Sequence, residues 1–219
     1  MTGRAPREFK RSIELNPNYA TAHHWHAYYL AAMGLSEEAI GEIKWARELD
    51  PLSLSINTDV GHIFYFAREY DQAIAAFHKA VDMDQNFVNA HLYLADAYAR
   101  KGMHDEAIAE FLKGEGLKGE RAERLAAYKE AYAVAGWNGF LQRLLGLVKE
   151  RLGTSSFLAQ ASMETYLELG EKNQAWELLK KNYEQRTGQL ALLKVDPRYD
   201  GLRSAPRFAE LLQRMNLTE

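Results

Sequence analysis

Small and large apolar positions recur along this chain with a step of 34 residues. The registers include Ala5, Ala39, Ala73 and Ala107; Phe9, Ile43, Phe77 and Phe111; Leu30, Phe64, Tyr98, Tyr132 and Tyr166; and Gly34, Arg68, Gly102, Gly136 and Gly170. A fixed period of this length is the sequence signature of a stack of similar structural units.

One unit, residues 20–51, shows what the positions do. The segment from Ala20 to Met33 is rich in alanine and aromatic residues, and Gly34 follows it as the typical residue just past a helix end. A second helix is predicted from Glu37 to Leu49, where apolar residues recur at spacings of four and three. Asp50-Pro51 ends it, because the residue before proline is disfavoured in a helix. Each unit is therefore a predicted helical hairpin, and stacked neighbours complete its core.

These residues resemble the tetratricopeptide repeat (TPR) family, most clearly over 20–113. The resemblance implies an all-α fold: a right-handed α-solenoid of antiparallel helical hairpins with a divergent C-terminal capping segment. The predicted segments are a half repeat at 4–17, full repeats at 20–51, 54–85 and 88–113, a Gly-rich joint at 114–119, two divergent hairpins over 120–186 and a cap at 187–219. A change in superhelix geometry is expected at the joint. The cap is similar to the closing segment of TPR modules in bacterial signalling and transcription-regulator proteins.

In TPR proteins the first helix of each hairpin lines the concave side, so the resemblance implies a peptide-binding groove on those helices. The matched positions hold His24, Trp25, Tyr28, Thr58, Asp59, His62, Tyr65, Phe66, Asn89, Tyr93, Asp96 and Arg100. Aromatic side chains dominate this set, and they are typical hot spots of interfaces. Carboxylates beside aromatic rings favour a protein or peptide partner with Arg or Lys and apolar residues. The alternative for each ring is packing between neighbouring hairpins.

One TPR activity is not expected. Cochaperone TPR proteins grip a C-terminal carboxylate with Lys, Asn and Arg on successive first helices. The matching positions here are His24, Tyr28, Asp59, Asn89 and Tyr93. Because the cations that pair with a carboxylate are missing, binding of a heat-shock chaperone tail is not predicted.

Two alternatives to groove binding remain open. The helix at 4–17 is expected to lack its partner helix, so Phe9 and Ile13 are predicted to mediate self-association into a homo-oligomer. Alternatively, the chain is the regulatory tail of a larger bacterial signalling or transcription protein.

Composition narrows the classes of function. The formal net charge of -3 offers no basic footprint for nucleic acid. The absence of cysteine excludes disulfides, Cys-based zinc sites and a cysteine nucleophile, and it fits a cytoplasmic protein. No apolar run approaches the roughly 18 residues of a membrane span, so no membrane partner is predicted.

Two motifs suggest chemistry but are better explained as structure. His23 and His26 share a helix face, yet they stand where the TPR family packs bulky residues, so core histidines are predicted and no metal. Gly114-x-Gly116-x-x-Gly119 matches the dinucleotide fingerprint as a string, but a helix is predicted before it where that motif needs a strand. The sequence therefore predicts no cofactor and no enzyme.

Overall fold

The computed structural model describes residues 5–151, 163–185 and 188–217, and the regular elements of these ranges are helices. The α-helices are α1 Ala5–Leu15, α2 Ala20–Met33, α3 Ser36–Leu49, α4 Leu54–Phe66, α5 Tyr70–Met83, α6 Val88–Arg100, α7 His104–Leu117, α8 Ala122–Arg151, α9 Lys172–Glu184 and α10 Pro206–Arg214. Residues 163–168 are also helical, and 3-10 helices span Gly188–Leu192 and Pro197–Leu202. None of the helices in these ranges is both long enough and apolar enough to cross a membrane.

The chain divides into two compact units, Met1–Gly119 with Leu212–Glu219, and Glu120–Leu211. In the first unit α1 is followed by three hairpins, α2 with α3, α4 with α5, and α6 with α7, and each hairpin packs on the next. This arrangement agrees with the predicted all-α solenoid of stacked hairpins.

The first helices of consecutive hairpins also touch each other, α2 with α4 and α4 with α6. Helices α2, α4 and α6 therefore form one continuous row within the first unit.

The core of the first unit follows the 34-residue registers. Ala39, Ile43, Ala73, Phe77 and Ala107 are each at most 1% exposed. The backbone of α4 lies directly against one of these rings, because a Cβ atom added at Gly61 would stand 2.4 Å from the Phe77 ring.

Helix ends in the register of Gly34 are left-handed. The φ angle is 83° at Gly34 and 73° at Gly102, where glycine removes the steric cost of positive φ. Arg68 occupies the same register with a φ of 64°, and its Nη1 donates a hydrogen bond to the Phe66 carbonyl oxygen. The chain thus reverses direction in the same way at a residue that is not glycine.

The glycine-rich segment predicted as a joint ends where the first unit gives way to the second, at Gly119. Helix α7 continues through Gly114 and Gly116 to Leu117, and only the following turn, with φ of 83° at Gly119, leaves the helix. Gly114 serves close packing instead, because a Cβ atom there would lie 2.7 Å from the Leu92 side chain. The change in superhelix geometry expected at this point stays a prediction.

In the second unit, α8 contains a break at Ala135 and Gly136, whose backbone angles are not helical. The Trp137 indole after the break donates a hydrogen bond from Nε1 to Glu168, 2.9 Å away. The two divergent hairpins predicted over 120–186 lie partly outside the described residues.

Both prolines of the C-terminal segment begin helices. Pro197 follows the buried Asp196, whose side chain accepts a hydrogen bond from the Arg198 backbone N–H. Pro206 begins α10, which buries Phe208 and Leu211.

A polar and aromatic face on the first helices

Four polar side chains meet between α2 and α4. His24 Nε2 donates to Asp59 Oδ2 at 2.6 Å, and the Tyr28 hydroxyl donates to Asp59 Oδ1 at 2.7 Å. His62 Nδ1 lies 2.8 Å from the Tyr28 oxygen and 3.1 Å from Asp59 Oδ1. Because the hydroxyl proton is directed at Asp59, His62 Nδ1 carries a proton and donates to these oxygens.

The network keeps the Asp59 carboxylate charged. Burial by itself would raise the pKa of Asp59, but hydrogen bonds from His24, His62 and Tyr28 outweigh it and hold that pKa well below its ordinary value. Burial, then the charge of Asp59, raises the pKa of Tyr28 well above its ordinary value. The cluster therefore contains an ionised carboxylate beside a phenol that remains protonated.

Aromatic rings surround this carboxylate. Trp25 stacks on His24 with a centroid separation of 5.0 Å and an interplanar angle of 17°, and it is 52% exposed. Tyr93, from α6, lies with its ring centroid 3.8 Å from that of His62. We call the partly exposed set Trp25, Tyr28, His62 and Tyr93 the aromatic face.

Charge is sparse on the three first helices. Helix α2 contains no Asp, Glu, Lys or Arg, α4 contains only Asp59, and α6 contains Asp96 and Arg100. By contrast, the second helix α3 carries six charged residues. The row formed by these three helices is thus mainly uncharged and rich in aromatic residues.

The predicted groove residues separate into two groups. Those with exposed or partly exposed side chains are Trp25, Tyr28, Asp59, His62, Asn89, Tyr93, Asp96 and Arg100. Those that are buried are His24, Thr58, Tyr65 and Phe66.

Thr58 and Tyr65 do not lie on a groove surface. The Thr58 hydroxyl donates to the Leu54 carbonyl oxygen at 2.7 Å, and Tyr65 is 4% exposed with its ring against Tyr70. The reason is that α4 contacts α2, α3, α5 and α6, so most of its circumference is covered. Assigning groove residues by helix register alone therefore overestimated how much of the α4 surface is accessible to a partner.

The residues predicted for self-association pack partly on the chain itself. The Phe9 ring lies 6.2 Å from the His26 ring and 6.3 Å from the Tyr29 ring, and both Phe9 and Ile13 are partly buried. Self-association stays a prediction.

Sequence reasoning missed two histidine–glutamate pairs that join the helices of a hairpin. His23 Nδ1 lies 2.5 Å from Glu42 Oε2, and its Nε2 lies 2.9 Å from the Pro17 carbonyl oxygen. In the third hairpin, His91 Nδ1 lies 2.5 Å from Glu110 Oε2 and its Nε2 lies 3.0 Å from the Gln85 carbonyl oxygen. The sequence did contain a signal for these pairs. The histidine, the glutamate and the residue with the accepting carbonyl each recur 68 residues later, which is twice the repeat.

The middle hairpin performs the same anchoring without ionisable groups. At the equivalent position Asn57 donates from Nδ2 to the Pro51 carbonyl oxygen at 2.9 Å, and Ala76 stands where the glutamate would be. The preceding turn is thus held by the first helix in all three complete hairpins. Over the described part of the chain, no group of three or more His, Cys, Asp or Glu side chains is arranged to hold a metal ion.

Comparison with known proteins agrees with this architecture. Residues 59–122 match the tetratricopeptide repeat family. The chain is 29% identical over 82 residues to small glutamine-rich tetratricopeptide repeat-containing protein 2 of Mycosarcoma maydis, a match covering 37% of this chain and 23% of that protein. The chain therefore spans under a quarter of the length of this curated relative.

Solved structures share the fold at low sequence identity. YrrB, a TPR protein with an unusual peptide-binding site, gives a TM-score of 0.50 at 20% identity over 84% of this chain and 96% of its own. Yeast Tom70 gives 0.55 at 15% identity over 97% of this chain and 47% of its own. Cut9-Hcn1 gives 0.56 at 14% identity over 96% of this chain and 45% of its own. These likenesses concern the fold alone, and they confirm the predicted TPR-type solenoid.

Proposed function

We propose that this chain, whose residues 59–122 match the tetratricopeptide repeat family, is a non-catalytic scaffold of the cytoplasm that holds a protein or peptide partner. TPR proteins in general mediate protein–protein interactions. The proposed contact surface is the aromatic face, on the row of helices α2, α4 and α6.

The observation that carries the proposal is the position of Trp25. Its indole is half exposed on a helix otherwise largely buried, and it rests on a histidine ring whose orientation is fixed by Asp59. A large aromatic side chain held in one orientation loses little conformational entropy when a partner binds, which is typical of interface hot spots.

The chemistry of the face favours a partner segment that is mainly apolar and carries one Arg or Lys. Both oxygens of Asp59 already accept hydrogen bonds, so a partner cation is attracted by the remaining negative charge and by the ring faces of Trp25 and Tyr93. The same charge repels a terminal carboxylate, which disfavours heat-shock chaperone tails.

The test uses a display library of random short peptides, selected on the full chain. The affinity of enriched peptides is then measured by calorimetry for the parent and for Trp25→Ala. We expect Trp25→Ala to weaken binding by at least about 10-fold, or roughly 1.4 kcal/mol, as for a hot-spot residue. We also expect the enriched peptides to contain apolar residues and one cation.

Trp45→Ala is the matched control. Trp45 is 43% exposed, close to the exposure of Trp25, but it lies on the second helix of the same hairpin. If no peptide is enriched, or if Trp45→Ala weakens binding and Trp25→Ala does not, the aromatic face is not the binding surface.

A further inference from the structure

The two histidine–glutamate pairs place acceptors on both sides of an imidazole. On one side of His23, the Pro17 carbonyl oxygen can only accept a hydrogen bond, so Nε2 must carry a proton. On the other side, Nδ1 faces the Glu42 carboxylate at 2.5 Å. A bare nitrogen lone pair against a bare carboxylate at that separation is repulsive, so a second proton lies between the two atoms.

The same count of two protons on or beside the imidazole applies to His91 in the third hairpin, where the His91 side chain is fully buried. From this geometry we propose that each pair, His23 with Glu42 and His91 with Glu110, holds one proton that the separated side chains release near neutral pH. Each pair is then uncharged as a whole, whichever of its two atoms the shared proton is closer to. Folding of the first unit therefore takes up two protons.

The sign of the resulting pH dependence follows from the proton count. In an unfolded chain an imidazole releases its proton near pH 6.5, and a glutamate does so near pH 4.3. Above about pH 6.5 the folded chain binds more protons than the unfolded chain, so stability is greatest below that pH and decreases as the pH rises. The unfolding equilibrium constant increases by up to about 10-fold per pH unit for each pair.

Other titratable and aromatic side chains also lie near the two histidine–glutamate pairs. His26 Nδ1 lies 3.3 Å from Glu42 Oε1, and the Trp45 ring meets the His23 ring edge-on. Burial, then the charges of Glu110 and Glu106, raises the pKa of Tyr98, so this phenol stays protonated across the range of the test.

The middle hairpin supplies the matched reference. Because Asn57 and Ala76 already perform the anchoring there, the double variant His91→Asn with Glu110→Ala copies a combination that this fold accepts. His78→Asn is the control for loss of an imidazole, since His78 is exposed and bonds the Tyr98 hydroxyl rather than a carboxylate.

Urea unfolding of the full chain, followed by circular dichroism from about pH 6 to 9, compares the three proteins. We expect the unfolding constant of the double variant to rise less steeply with pH than that of the parent, by up to about 10-fold per pH unit. His78→Asn should keep the parent slope. Equal slopes for parent and double variant would overturn the proposal.

A second measurement needs no variant to fold. Nuclear magnetic resonance of the parent, labelled with ¹⁵N in histidine and ¹³C in glutamate, reports where protons reside at about pH 7.5, roughly one unit above the value for a free imidazole. We expect either two protonated ring nitrogens in His91 or a protonated Glu110 carboxyl group. A His91 with a bare Nδ1 beside an ionised Glu110 would refute the shared proton.

Discussion

Alanine substitutions at Gly102 and at Gly41 add the same methyl group to two different backbone conformations. Comparing them isolates the free-energy cost of a left-handed backbone at Gly102. A Cβ atom built at either residue meets nothing within 4 Å. Gly102 ends a hairpin's first helix with a φ of 73°, whereas Gly41 lies inside α3. Substituting alanine at each therefore adds the same group to open space and changes only the conformational preference of the backbone.

The expected free-energy changes have opposite signs. A non-glycine residue in the left-handed region costs about 1–2 kcal/mol, and the stiffer unfolded chain offsets about 0.4–1 kcal/mol of this. Gly102→Ala should thus lower the free energy of unfolding by about 1 kcal/mol. Gly41→Ala should raise it by roughly 0.5–1 kcal/mol, because alanine is the better residue inside a helix.

Urea unfolding at constant pH, with equal slopes against denaturant confirmed for each protein, measures both changes. The structure predicts a separation of about 1.5–2 kcal/mol between the two variants. If Gly102→Ala does not destabilise, the left-handed turn is not what glycine provides at Gly102. If Gly41→Ala also destabilises, the loss at Gly102 cannot be assigned to backbone handedness.

Further predictions concern packing and acid stability. Gly61→Ala should lower the free energy of unfolding by about 1–3 kcal/mol, because the added methyl group would overlap the buried Phe77 ring. Thermal unfolding measures the change. An unchanged midpoint would contradict the close packing of α4 on the Phe77 ring. Asp59, with its pKa held below the ordinary value, contributes stability that is present above about pH 4 and is lost as the pH falls further. Asp59→Asn should therefore flatten the stability profile between about pH 2 and 5, and an identical acid slope would show that the network does not stabilise the charge.

The helices were predictable because their signals are local. The 34-residue register fixes which residues are buried, and Gly34 marks where α2 ends, so the predicted span from Ala20 to Met33 coincides with the helix. Arg68 shows that the register is stronger than residue type, because it adopts the left-handed turn without being glycine.

The site was less predictable because side-chain partners lie far apart in the sequence. Nothing local to His23 indicates Glu42, and nothing local to Asp59 indicates that His24 and Tyr28 donate to it from the previous hairpin. Gly114 shows a related ambiguity, since a glycine that admits Leu92 looks the same in sequence as one that ends a helix.

The anchoring of each turn by the first helix that follows it has a mechanical consequence. The carbonyl oxygens of Pro17, Pro51 and Gln85 each accept a hydrogen bond from a side chain of the helix that follows the turn, so these turns are stiff. A pull on the array should therefore tilt whole hairpins against each other before any turn opens.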